Sequence, residues 1–433
     1  MIEIFQILIL FFIFSLFCFV PLNIAGSKKF NKNKFSILDI STFNLIINLN
    51  VLLVLSFLPI SLNIINLILV FIYLSLFIYK YLIQNNEFNF VINFFKFKVI
   101  FFIIFLIISI DVAATLNLGW DAKYLYYIKS LFYIQGQNFS DLQTFKLNAY
   151  HPHLGSFLWA FFSNILPLKF EYFGRLLFVY FYLFSIFYIC HNSSNNNFKS
   201  NLIFIFIITI SYVYGRFSGL QEILIFSTLA ILSKYYYYLR NSQNVVYILF
   251  IILGCNLLLW FKAEGLVYAS ILIVLMNLNN KIFYNTKIRI NLFFVTLFLF
   301  KVFIDYIFNM NINGINGQPF YSLDYILGLD LVIVFYKLKI LLSYLTYYVI
   351  NNFFFIAGLI ILISLNAQLK FDNYLKIINY YFLLTLLFIL VAYIFRDFEI
   401  EYFVRTTLER IVFITSGFYV FIVINFLNSF KKN

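Results

Sequence analysis

Charge is what this sequence has least of. Of its 433 residues only 11% are charged, against about 25% in an ordinary soluble domain, and 17 of them are acids. A chain so poor in charge cannot cover a water-exposed surface, so a soluble globular enzyme is excluded. Cysteine is scarce as well: Cys18, Cys190 and Cys255 stand alone, with neither metal-ligand spacing nor an obvious pair. No disulfide framework or thiolate metal centre is therefore expected. Lys and Arg are missing ahead of the first apolar run, and that run ends without a small-residue cleavage site, so it reads as a retained helix rather than a leader. There is no internal repeat of the kind that marks inverted-repeat transporters, and no soluble domain boundary.

What is present is apolar. Hydrophobic residues make up 64% and aromatics 23%, with a mean hydropathy of +0.94. Runs of about 20 apolar residues recur along the chain, and inside a bilayer only helices or closed barrels satisfy the backbone. Unbroken Leu, Ile and Phe runs lack the alternation of a barrel strand. The expected fold is therefore all-α, a polytopic membrane protein of about 13 transmembrane helices forming one integral domain over residues 1–433, with short helices in its loops. The expected spans are 4–25, 37–60, 61–83, 99–115, 171–190, 201–215, 220–239, 245–261, 265–279, 290–310, 350–366, 377–395 and 409–428. Two stretches fit no span. His153–Leu166, short and bounded by Pro152 and Pro167, reads as a re-entrant or surface-lying helix; Leu327–Tyr348, which carries Lys337 and Lys339, reads as an interfacial amphipathic helix.

The net charge of +13 sets topology here rather than marking a nucleic-acid partner. Lys28, Lys29, Lys32, Lys34, Lys80, Lys96, Lys98, Lys281, Lys287, Arg289, Lys431 and Lys432 all fall on one side of this threading, which the positive-inside rule makes cytoplasmic. Of the 17 acids, only Asp39, Glu87 and Asp372 share that side. The other face carries the remaining acids and is the expected working face, with a long loop over 116–170 holding the expected active site.

Carboxylates on that face carry the candidate chemistry, because a charge near the bilayer centre costs roughly 2.5–3.5 kcal/mol on insertion scales. Trp120 can anchor its loop at headgroup level, Asp121 follows it, and Lys129 lies two helical turns further on roughly the same face. Together they could hold an anionic substrate beside a general base; the alternative is a Trp belt followed by ordinary loop charges. His151 and His153 flank Pro152 in a turn and could bind a metal or phosphate, although their spacing without a third ligand equally suits a structural turn with solvated histidines. His191 is assigned no role. Glu222 opens a helix whose dipole favours negative charge. Lys262 and Glu264 sit at the tip of a hairpin closed by Gly265, as a site or as a compensating ion pair. The segment from Asp397 to Arg410 ends in a guanidinium suited to phosphate, with a solvated loop as the alternative. Lys301 and Asp305 read as a local ion pair.

In order, Trp120-Asp121-Ala122, Lys129, His151-Pro152, Glu222, Lys262-Ala263-Glu264-Gly265 and Thr407-Leu408-Glu409-Arg410 resemble the motifs of the integral-membrane glycosyltransferases of the GT-C fold. That superfamily includes the protein O-mannosyltransferases and the lipid A aminoarabinose transferase, and the likeness is to a bacterial branch. The chain departs from the branch at His153-Leu154-Gly155, where Asp-Tyr-Pro is commoner, and at Glu222, where Asp is. The resemblance implies transfer of a sugar from a polyprenyl-phosphate donor to a lipid-linked glycan, lipid or protein acceptor, on the outer face of the bacterial cytoplasmic membrane. It implies Asp121 as base, Lys129, Lys262 and Arg410 as phosphate-binding cations, and Trp120, His151, Glu222 and Glu264 in support. Glu222, Glu264 and His151 are also the candidate ligands of a hard divalent cation, Mg²⁺ or Mn²⁺. Competing classes are a polymerase, ligase or flippase of lipid-linked glycans and a secondary transporter. A flippase calls for polar groups along a route through the membrane, of which this chain has few.

Overall fold

The computed structural model describes residues 2–22, 35–84, 99–115, 117–144, 152–192, 197–211, 217–240, 244–308, 323–367, 373–397 and 399–429. His151 and Asp372 lie outside the described residues. The described residues are all-α: 86% of them are helical, and no strand occurs among them. Helices run α1 Ile2–Phe19, α2 Ile37–Ser56, α3 Leu62–Gln84, α4 Val99–Thr115, α5 Tyr127–Ile134, α6 Leu154–Asn164, α7 Glu171–Asn192, α8 Asn197–Ser211 and α9 Glu222–Tyr238. They continue with α10 Val245–Phe261, α11 Gly265–Leu278, α12 Tyr284–Ile307, α13 Leu323–Leu327, α14 Leu331–Ile350, α15 Phe353–Ala367, α16 Asn373–Ile394, α17 Ile400–Phe403, α18 Glu409–Ser416 and α19 Val420–Ser429. A π-helical turn, Ala122–Tyr126, leads into α5, and a second, Val404–Leu408, joins α17 to α18.

Among the described residues seven helical runs are long and apolar enough to cross a membrane, namely α1, α2, α7, α12, α14, α16 and the continuous stretch Ile400–Ser429; six shorter apolar helices accompany them. This is an all-α membrane protein. The expected span 220–239 corresponds to α9, of 17 residues, which is not among the seven. α14, expected to lie in the interface, is among them by length and composition.

The described chain clusters into two compact units. The first comprises Met1–Asn148, His153–Ile208 and Gly215–Leu224; the second comprises Ala149–Pro152, Thr209–Tyr214 and Ile225–Asn433.

In the first unit α7 is buried along its whole apolar length. Tyr180 is its centre: its ring meets Phe11, Phe14, Phe101 and Phe105, and its hydroxyl lies 3.4 Å from Ser15 Oγ. Lipid supplies no hydrophobic drive between helices, so such contacts act through packing and hydrogen bonds. The last carbonyls of α1 have no partner within their own helix, and α2 provides one. Asn48 Nδ2 donates to the carbonyls of Phe17 and Val20, and Asn44 Nδ2 to those of Cys18 and Phe19. Ser36 and Asp39 form a capping box at the start of α2, and Tyr188 donates to Asp39 Oδ1 at 2.7 Å. Of the two readings of α6, the surface-lying one does not hold: four helices, α2, α3, α5 and α7, pack around it and bury ten of its residues. His153 is no solvated turn residue either, being buried with Nε2 at 2.7 Å from Ser56 Oγ and its ring against Phe139 and Phe57.

In the second unit α10 and α11 form a tight hairpin. A Cβ on Gly265 would stand 1.9 Å from the carbonyl oxygen of Leu258, so only glycine permits this approach. Lys337 is buried, where its ammonium donates to the carbonyls of Arg396 at 2.8 Å and Ile394 at 3.4 Å and to Tyr325 Oη at 2.5 Å. It therefore caps the end of α16, where a cation also suits the helix dipole. Lys301 and Asp305 form the expected ion pair at 2.7 Å, with the ammonium 4.8 Å from the centre of the Trp260 ring.

Candidate functional site

The candidate residues divide between the units. Trp120, Asp121, Lys129 and Glu222 belong to the first, Lys262, Glu264 and Arg410 to the second, and His151 lies outside the described residues.

In the first unit Trp120 is 69% exposed and packs on Tyr124. Asp121 is half-buried and helical, immediately ahead of the π turn. The amide of Tyr127 bonds back to the carbonyl of Ala122, five residues earlier, so that turn holds one residue more than an α turn. The register changes accordingly. Eight α-helical steps would leave Asp121 and Lys129 about 80° apart around the axis, whereas one absorbed residue reduces this to about 20°. The same-face reading of the sequence thus becomes closer through a feature with no local signature. Lys129 itself is 1% exposed, so it is an interior cation rather than a surface one.

The turn that carries Glu222 is fastened to this segment. The amide of Gly119 donates to the carbonyl of Ser218 at 2.9 Å. Gly219 has φ +83°, and a Cβ there would lie 2.6 Å from the Trp159 ring and 3.0 Å from the Ala122 methyl. Beneath the turn runs a buried polar line: Ser130 Oγ donates to the Ser156 carbonyl at 3.0 Å, and Gln221 Nε2 donates to Ser156 Oγ at 3.3 Å. Glu222 follows Gln221 and is buried. Trp159 Nε1 donates to the carbonyl of Glu171, and its ring faces Tyr127. Burial, and then the negative field of Glu171, hold the Tyr127 phenol above its ordinary range.

In the second unit two motifs far apart in sequence meet. Lys262 pairs with Glu264 at 3.1 Å, the ion pair that was one of the two readings of this hairpin. Tyr268, one turn beyond Glu264, places its hydroxyl 2.8 Å from Thr415 Oγ1 and 3.3 Å from the carbonyl of Ile411, the residue after Arg410. Tyr393 lies 2.7 Å from Thr407 Oγ1, within the second π turn. Lys262 and Glu264 act electrostatically on both phenols. Arg410, half-buried, stands two residues past that turn. Between α14, α15 and α16 lies an apolar cavity of about 210 Å³, lined by Leu345, Val349, Phe355, Leu359, Phe382 and Ile389 among others.

Of the expected ligands of a divalent cation, His151 lies outside the described residues. Among the described residues no three His, Cys, Asp or Glu side chains are grouped as a metal site, and Glu264 is engaged by Lys262. Sequence reasoning passed over Gln221, Ser156, Trp159, Arg175, Tyr268 and Tyr393, which read locally as ordinary helix and belt residues. The one available signal was polarity inside apolar runs, visible at Arg175. Comparison with protein-family models, with curated proteins and with solved structures gives no match for this chain.

Proposed function

We propose that the protein is a membrane glycosyltransferase. It would move a sugar from a polyprenyl-phosphate donor to an acceptor on the outer face of the cytoplasmic membrane, within a GT-C-like threading of about 13 spans. The observation that carries this reading is the placement of the two π turns. π turns are rare and gather at functional sites; one directly follows Asp121 and the other ends two residues before Arg410, residues that the motif order singles out for base and phosphate chemistry.

Asp121 is the base in this reading. It takes the proton of the acceptor hydroxyl as the oxygen attacks the anomeric carbon, and the bond to the lipid phosphate breaks with its electrons on the departing phosphate. Lys129, Lys262 and Arg410 are the cations for phosphate, and a guanidinium forks onto two of its oxygens. Within its own unit Glu264 orients Lys262, Glu222 supports the Asp121 side, and no step is routed through a metal. The cavity of the second unit supports a lipid substrate, being lined almost wholly by apolar side chains.

The test is a membrane assay with radiolabelled polyprenyl-phosphate sugars, comparing wild type with Asp121→Asn. Transfer by the wild type that the variant loses supports the reading. Glycan movement across the bilayer without bond formation would replace it with a flippase.

A further inference from the structure

Arg175 is 1% exposed one turn into α7, a position where a guanidinium needs strong compensation. Four contacts provide it. Its Nη2 donates to Glu171 Oε2 at 2.9 Å, and its Nε stands 2.5 Å from Glu171 Oε1 as an ion pair. Its remaining terminal nitrogen, Nη1, donates to two backbone carbonyls on separate segments, Asn117 at 3.1 Å and Phe217 at 2.7 Å. The first lies four residues before Asp121 and the second five before Glu222. A lysine could not do this, because its three donors radiate from one point, whereas the fork separates the carboxylate side from the carbonyl side.

We infer that Arg175 is the positioning residue that sets the separation between the Asp121 segment and the Glu222 turn. The inference rests on the transferase reading for its catalytic consequence, but not for its geometry. The Gly119 to Ser218 hydrogen bond is one tie between the two segments, and the guanidinium adds a second at Asn117 and Phe217. Displacement by about 1 Å at a site of this kind can lower turnover by about 10²-fold.

The experiment uses the full chain in membranes, with Leu118→Cys and Ser218→Cys as a disulfide trap. Cys18, Cys190 and Cys255 are buried and do not compete. With an added thiol oxidant, cross-linking is expected to be fast with native Arg175, slower with Glu171→Gln, which loosens the guanidinium, and slowest with Arg175→Lys. If Arg175→Lys does not accumulate, the Glu171→Gln rate decides alone. In the donor assay Arg175→Lys without the trap is expected to lower kcat roughly 10- to 100-fold while donor KM moves less than about threefold, and the oxidised trap restores kcat. Cross-linking rates that fall in neither variant overturn the inference, as does slowed cross-linking with unchanged kcat. Slowed cross-linking in a protein with no transferase activity on any donor leaves the positioning intact and removes the proposed function instead.

Discussion

The backbone amide of Gly119 donates to the carbonyl of Ser218 at 2.9 Å, tying a segment read as a loop after α4 to a turn almost 100 residues later. Two residues beyond Gly119 stands Asp121, and four beyond Ser218 stands Glu222. The two carboxylates highlighted in this half of the sequence are thus mounted on one braced pair of turns, and the consequences can be measured.

Asp121→Asn keeps the shape of the side chain and removes its basicity. Turnover should fall by roughly 10²–10⁴-fold, the usual contribution of a positioned base, with donor binding largely kept. Steady-state kinetics on purified enzyme in nanodiscs would show this, and full activity would move the base to Asp111 or Glu222.

Lys129→Met or Arg410→Ala removes a cation while leaving Asp121 in place. Loss of a charge-assisted hydrogen bond is worth about 1.5–3 kcal/mol, so donor KM should rise by about 10- to 100-fold with a smaller change in kcat. Isothermal titration with the donor lipid checks it; a kcat defect at constant affinity contradicts the phosphate role.

Topology can be read with an impermeant maleimide on intact cells. Trp120→Cys and Ala263→Cys, both at exposed positions, should be labelled from outside, and Lys281→Cys, also exposed, only after lysis. Labelling of positions 120 and 263 from opposite sides would break the threading on which the site assignment depends.

Gln6 is 1% exposed in α1, and among the described residues neither polar atom of its carboxamide has a hydrogen-bond partner. An unsatisfied buried amide is destabilising by about 1–3 kcal/mol. Gln6→Leu, of similar size, should therefore raise resistance to unfolding in mixed detergent micelles, whereas Gln6→Ala should lower it by leaving a void. A loss of stability in both would show that the carboxamide is satisfied.

Gly265→Ala should lower the yield of folded protein, since the new methyl would meet the Leu258 carbonyl, a backbone atom that cannot swing aside. Overpacking of this kind is destabilising by about 1–3 kcal/mol or more. Size-exclusion profiles of the variant, set beside Ala263→Gly as a control at the same turn, would register the difference.

The sequence by itself determined the class. Apolar runs of membrane-spanning length require helices because lipid leaves backbone groups no other partner, and that rule is local. The Lys301–Asp305 pair and the glycine-closed hairpin at 265 were legible for the same reason, since i,i+4 spacing and a missing side chain act within one or two turns. Tertiary structure decided what local pattern could not express. Pro152 and Pro167 bound a short helix correctly but did not say that four others would enclose it and turn His153 inward onto Ser56. Lys337 and Arg175 look alike as charges in apolar runs, yet one closes the end of α16 and the other braces two distant turns, because their partners are carbonyls supplied by other segments. The π turns beside Asp121 and Arg410 belong to the same class: an extra residue in a helix is tolerated only where neighbouring packing compensates for the altered register, and which neighbours those are is settled when the helices assemble.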